Sequence, residues 1–204
     1  FCEIPMDGNV SPSILADKGV IYAFGGYRTR GSVAVRGGGS EDVTKSHLVW
    51  KTRTSSYVPS PVLHDGHLYW MDDRGNAFCS DAKTGKVAKR LRAHQDWIRC
   101  LAVSPDGRWL VSAGHDRAVR VWDMSKQELS RTLVRSPVAV TSVAFNPDGT
   151  QLAIVGFSRS VQVVRFATGR SIHTLDSQSR DLRTVCFSRT GRKVAAAGSD
   201  GKVY

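Results

Sequence analysis

The sequence predicts an all-β protein assembled from four-stranded antiparallel blades, a β-propeller. Three observations predict it: a block of text recurs every 42 residues, short β-forming runs arrive every eight to twelve residues, and turn signals separate them. No segment between the runs is long enough for the crossover helix that a parallel sheet requires. A period of 42 is too long for ankyrin or leucine-rich units and falls in the range of propeller blades.

The first unit, 8–52, opens with Ser11–Phe24 (SPSILADKGVIYAF), a short strand, a polar Gly turn and a strongly β-forming strand carrying Tyr22. GSVAVR and HLVWKT supply its third and fourth strands, with Gly37-Gly38-Gly39-Ser40 between them as an extended surface loop. The second unit, 58–92, repeats this plan in Ser60–Met71 (SPVLHDGHLYWM), with Tyr69 in place of Tyr22, and continues through GNAFCSD and KVAKRLR.

The third unit, 93–134, is the clearest. An apolar run, Ile98 to Val103, meets the turn Ser104-Pro105-Asp106-Gly107, where Pro presets φ and Gly accepts a positive one. The second strand is expected at Trp109 to Ala113, then a tight turn around His115-Asp116-Arg117. The third, Ala118 to Trp122, alternates Val119 and Val121 with Arg120, and the fourth, Glu128 to Leu133, is polar as an outermost strand should be. Leu101–Gly114 (LAVSPDGRWLVSAG) recurs 42 residues on as Val143–Gly156 (VAFNPDGTQLAIVG) and again as Val185–Gly198 (VCFSRTGRKVAAAG). These define a fourth unit, 135–176, and a fifth that stops as its third strand begins.

About five blades are therefore expected. Phe1 to Met6 (FCEIPM) alternates apolar and polar residues and could close a five-bladed ring by pairing with the last unit. A start at Phe1 and a stop inside a strand favour instead a fragment of a seven- or eight-bladed ring.

Composition narrows the function classes. The 204 residues hold 29 Lys and Arg against 18 Asp and Glu, a net charge of +11. Residues 1–88 contribute 10 basic and 9 acidic groups and 89–204 contribute 19 and 9, so ten of the eleven excess charges belong to the second segment. Such a bias attracts nucleic acid or acidic surfaces. There is no run of adjacent cations and no aromatic interleaving of the kind that stacks bases, which argues for surface solubility and against nucleic acid. No run of about 18 apolar residues is present to span a membrane as a helix. Cys2, Cys79, Cys100 and Cys186 show no CxxC spacing and read as free or buried thiols.

Residues 93–204 resemble WD-repeat β-propellers. That family links a His from the loop entering the blade, a Ser or Thr on the second strand, an Asp in the next turn and a Trp on the third strand. The motif falls here on His94, Ser112, Asp116 and Trp122, followed by the expected Asp123. The resemblance implies that these residues satisfy one another's buried polar groups and lock the blade. A catalytic Ser-His-Asp reading lacks an oxyanion motif such as GxSxG. The 42-residue offset puts Ile154, Ser158 and Val164 at the next unit's Ser, Asp and Trp positions, where apolar packing must replace the network. In the last unit Asp200 persists and Ala196 replaces the Ser. Divergence of this kind is common in bacterial propellers of this resemblance.

Residues 1–92 resemble blades of pyrroloquinoline-quinone-type propellers, the family of quinoprotein dehydrogenases and of the outer-membrane-protein assembly lipoprotein. The resemblance rests on Asp81-Ala82-Lys83-Thr84-Gly85-Lys86, which matches the D-x-x-T-G turn. Lys89 stands where that family often has a blade-docking Trp. No vicinal cysteines are present, and Asp65, Asp72 and Asp73 read as turn residues and not as calcium ligands. No catalytic residue, metal or cofactor is expected, and nothing points to a small-molecule ligand.

Together the resemblances imply a non-enzymatic scaffold that binds protein partners on a propeller face, with a quinoprotein-like oxidoreductase domain and a polyanion-binding protein as alternatives. An exported, for instance periplasmic, location fits the first segment's resemblance. The candidate partner face comprises Trp97, His115, Arg117, Arg159 and Arg180, because Trp and Arg are enriched at binding hot spots.

Overall fold

The computed structural model describes residues 12–25, 30–56, 59–72, 74–177 and 179–204. The strand-forming runs fold as eighteen strands with no helix among the described residues, and none is therefore long and apolar enough to cross a membrane as a helix. The chain divides into two compact units, one ending at Ala93 and one running from His94 to Tyr204.

In the first unit, β1 (Leu15–Asp17), β2 (Val20–Gly25), β3 (Gly31–Arg36) and β4 (Leu48–Thr52) form one antiparallel sheet in chain order. Strands β5 (Val62–His64), β6 (His67–Met71), β7 (Asn76–Asp81) and β8 (Val87–Arg92) form the next. Both sheets open on two-residue turns with positive φ at each residue, Lys18-Gly19 and Asp65-Gly66, the geometry whose twist suits a hairpin. Asp72 acts as the sequence suggests, accepting from the backbone N–H of Arg74 at 3.0 Å and of Asn76 at 2.8 Å. Asp73, Cys2 and the Phe1–Met6 segment lie outside the described residues.

This unit's core gathers Tyr22, Phe24, Trp50, Leu68 and Trp70. A tryptophan of the preceding blade packs on the turn at Asp81–Gly85. Trp50 on β4 donates its indole N–H to the Ala82 carbonyl at 2.9 Å, over the turn in which Asp81 accepts from Thr84 Oγ1 at 2.7 Å. Gly85 closes that turn at φ 70°, where a Cβ would meet the Trp50 ring at 2.6 Å, so both conformation and space demand glycine.

In the second unit, β9 (Ile98–Val103), β10 (Trp109–Gly114), β11 (Ala118–Asp123) and β12 (Glu128–Arg135) pair antiparallel in order. So do β13 (Val140–Phe145), β14 (Gln151–Gly156), β15 (Ser160–Arg165) and β16 (Ser171–Asp176). Strands β17 (Leu182–Phe187) and β18 (Val194–Gly198) pair as a hairpin, and an Ala197–Val203 bridge marks the start of the expected third strand.

The repeat is visible as chemistry. At the head of each Asp-Gly-type turn a short polar side chain accepts the N–H five residues on: Ser104 from Trp109 at 2.9 Å, Asn146 from Gln151 at 2.9 Å and Ser188 from Lys193 at 3.1 Å. Between blades, Val111, Val119, Val121, Val140, Leu152 and Val164 are each fully buried in one apolar cluster. Each contributes roughly 1.5–3 kcal/mol from apolar area removed from water. Arg131 reaches across to the next blade, donating to the Phe166 carbonyl at 3.0 Å.

Candidate functional site

Two constellations in the second unit concentrate its chemistry. The first is the predicted lock. His94 leaves the loop ahead of β9, Ser112 sits mid-β10, Asp116 in the β10–β11 turn and Trp122 near the end of β11. Trp122 Nε1–H donates to Ser112 Oγ at 2.8 Å, and Ser112 Oγ lies 2.7 Å from His94 Nε2. His94 Nδ1 lies 2.8 Å from Asp116 Oδ1. A ring nitrogen facing a carboxylate must carry the proton, so Nδ1–H donates to Asp116 and Nε2 accepts from the serine hydroxyl. Every donor in the chain Trp, Ser, His, Asp then points the same way.

Arg120 joins this network although the family motif did not mark it. Its Nη1–H donates to Asp116 Oδ2 at 2.6 Å, beside His94 Nδ1, which sends its own proton to the same carboxylate and so accepts nothing from the guanidinium. Burial, with the adjacent Arg120 charge, lowers the His94 pKa from 6.5 despite Asp116, so the ring is neutral. Burial alone would raise Asp116. The hydrogen bonds from His94 and Arg120 prevail and hold it at about 2.

Distances alone would describe a Ser-His-Asp triad. Ser112 is 0% exposed, however, and its oxygen already accepts the Trp122 indole proton. No reacting carbonyl can approach a hydroxyl so enclosed, and the arrangement performs a structural task.

In the fourth blade Ile154 and Val164 pack into the apolar cluster, as the offset requires, and among the described residues the Ser158 hydroxyl makes only 3.4 Å contacts with Ser160. In the fifth, Ala196 is buried and Asp200 bonds the Tyr204 hydroxyl. Tyr204 stands 84 residues beyond Arg120, so this strand position serves the turn carboxylate in both blades.

The second constellation lies where the candidate partner face was expected. Gly114 ends β10 at a register shift, where a Cβ would come within 2.0 Å of the Trp97 carbonyl. The shift lets His115 N–H donate to Trp97 O at 2.8 Å. Gly156 repeats it one blade on, and Phe157 N–H donates to Ala139 O at 3.1 Å. His115 and Phe157, 42 residues apart, are thereby presented side by side.

The Trp97 and His115 ring centroids are 5.9 Å apart, and His115 meets Phe157 edge-on at 5.7 Å. Arginines close both ends. Arg99 stands 5.6 Å from the Trp97 ring and donates from Nε to His115 Nε2 at 2.9 Å, while Arg183 lies 5.1 Å from Phe157. Burial, and then the Arg99 charge, lower the His115 pKa from 6.5, which keeps Nε2 free to accept.

Trp97 is 46% exposed. Arg117, Arg159 and Arg180 are exposed in turns on the same two loop sets. Arg117 holds φ at 63°, a conformation costly to a side-chain-bearing residue, whereas its counterpart two blades on is Gly201 at φ 74°. The structure thus joins Trp97 and His115 and adds Arg99, Phe157 and Arg183. A 42- or 84-residue offset from His115 and Arg99 was the available signal for Phe157 and Arg183. Cations and aromatics do interleave here, across blades and not along the chain.

Among the described residues no three His, Cys, Asp or Glu side chains converge as metal ligands. Burial pushes the Cys100 thiol up to about 12 and raises Cys79, so neither supplies a thiolate near neutrality. The family model for "WD domain, G-beta repeat" matches 85–123, 127–164 and 169–204, together more than half of the chain.

The chain belongs to the WD-repeat family. The match extends through the fourth and fifth blades, where the polar lock is eroded but period, turns and bulges persist. Similar proteins include WD repeat-containing protein 18 of Bos taurus, 39% identical over 70 residues covering 34% of this chain and 16% of that protein. Striatin-4 of Homo sapiens is 36% identical over 93 residues, 44% of this chain and 12% of its own length. Nuclear distribution protein nudF of Emericella nidulans is 38% identical over 72 residues, 35% and 16% respectively. The WD-repeat segment thus spans less than a fifth of each of these relatives.

Proposed function

We propose that this WD-repeat chain is a non-enzymatic scaffold that captures a protein partner on the Trp97 face. The observation that carries the reading is the continuous Arg99–Trp97–His115–Phe157–Arg183 row, cationic at both ends and half-exposed at its tryptophan. A large aromatic beside arginines on rigid β-bulges is the composition of a binding hot spot. Arg117 supports the reading, since a residue kept at positive φ where a sister blade uses glycine points to a task for its side chain. The cations favour a partner segment bearing Asp or Glu beside an apolar anchor.

The test is alanine substitution of Trp97, Arg117 and Arg159 together, read by quantitative affinity capture. Capture should fall at least about tenfold, the effect of losing one hot-spot residue. A parallel arm uses an oligonucleotide. Retention of DNA that falls steeply with salt while protein capture is unaffected by the substitutions would replace the scaffold reading with polyanion binding.

A further inference from the structure

The fourth blade contains a partly enclosed cavity of about 230 Å³, and its position in the repeat shows its origin. Six of its lining residues are Ser136, Ile154, Ser158, Ser160, Gln162 and Thr174. Counted back 42 residues, they correspond to His94, Ser112, Asp116, Ala118, Arg120 and Thr132. The cavity therefore occupies the place that the imidazole, carboxylate and guanidinium of the lock fill one blade earlier. Losing the His94 ring to a serine and Arg120 to a glutamine leaves a void that the apolar substitutions at 154 and 164 do not close.

The walls set apolar surface from Val138, Ile154 and Val155 beside hydroxyls and an amide that keep hydrogen-bonding capacity for a guest. Ser158 Oγ makes only 3.4 Å contacts with Ser160, and Ser136 Oγ accepts from Val138 N–H at 3.3 Å. The Gln162 amide and the Ser160 and Thr174 hydroxyls make no side-chain hydrogen bond among the described residues. The lining holds no ionisable side chain, and Arg159 projects from the turn between Ser158 and Ser160. A cation is thus unfavoured, while a neutral ring with one donor and one acceptor matches the hydroxyls and the amide. The volume exceeds the ~150 Å³ cavity that accepts benzene, so a five-membered ring fits.

We propose that this cavity is a binding site for a neutral imidazole ring, the group whose counterpart His94 fills in the preceding blade. The sequence carries no signal for a small-ligand site here, because a cavity left by a missing network has no motif. The cavity and the Trp97 face share no residues, so either can bind without the other.

The experiment is an amide-NMR titration of the chain at pH 8.5, where the ring is neutral, with free imidazole and with a blocked Gly-His-Gly peptide. Saturable shifts confined to 136–138 and 154–162, with a Kd of about 1 mM, are expected for at least one probe. Binding of the peptide at least as tightly as imidazole identifies a partner's histidine as the source, and binding of imidazole alone identifies a free small molecule. Ser136→His should abolish the shifts by filling the cavity, and Gln162→Ala, at a side chain without a protein partner, should weaken binding at least about threefold while leaving the fold intact. No saturable shift with either probe, or shifts unchanged in both variants, overturns the proposal.

Discussion

Replacing Ser112 by alanine removes one oxygen and leaves two buried groups without partners. Trp122 Nε1–H loses its acceptor at 2.8 Å and His94 Nε2 loses its donor at 2.7 Å. Ser112 and His94 are 0% and 2% exposed, so water cannot substitute at either bond without opening the blade. Stranding a buried polar group costs about 1–3 kcal/mol, and the two losses overlap because one hydroxyl served both. The expected loss for Ser112→Ala is thus about 2–4 kcal/mol, roughly 10 °C in Tm for a unit of this size. Urea unfolding at constant m is the assay. In a Trp122→Phe background, where the stranded donor is absent, the same substitution should cost about 1 kcal/mol less. A loss under about 0.5 kcal/mol, or identical costs in both backgrounds, would refute the directional chain from Trp to Asp.

Acidification should weaken the second unit in two windows. His94 has a depressed folded pKa, so the unfolded chain takes up its proton first and stability falls as pH drops below 6.5, a step that His94→Gln should erase. Asp116, brought from 3.8 to about 2, contributes on the order of 2 kcal/mol that is present above pH 4 and lost as pH falls through 2. Both steps are read by denaturant midpoints across pH. Gly85→Ala forces a Cβ to 2.6 Å from the Trp50 ring at φ 70° and should lower the first unit's stability by about 2 kcal/mol or more, with a change in Trp fluorescence. Arg117→Gly should raise Tm, being worth about 0.5–1 kcal/mol of relieved positive φ, while weakening partner capture.

The repeat made the blades legible because its signals are local: a Pro or Gly turn, a β-branched run and a fixed offset coincide at Ser104–Gly107 and again 42 residues on. The strand bounds shifted only at their ends, β12 reaching Arg135 where Leu133 was expected, since an outer strand's length depends on pairing rather than on hydrophobic pattern. The lock was legible as a motif, but Arg120 was not, because an alternating strand residue shows its partner only when the Asp116 turn folds over it. Trp50 was missed for a related reason. Its acceptor, the Ala82 carbonyl, belongs to another blade, and no spacing within one repeat links the two. Trp97 and His115 were legible, but Phe157 and Arg183 were not, because they lie 60 and 86 residues from Trp97 and are brought to it by bulges at Gly114 and Gly156 that sequence shows only as repeated glycines.

The lock holds the blade, and the Trp97 face is the proposed binding surface, a division of roles. Measuring Tm and partner affinity side by side for Ser112→Ala and for the Trp97, Arg117, Arg159 triple alanine variant tests it most directly. A roughly 10 °C loss of Tm is expected for Ser112→Ala with affinity retained below the transition, and an unchanged Tm with at least about tenfold weaker capture for the triple variant. A triple variant that melts as early as Ser112→Ala, or that captures its partner undiminished, would contradict it.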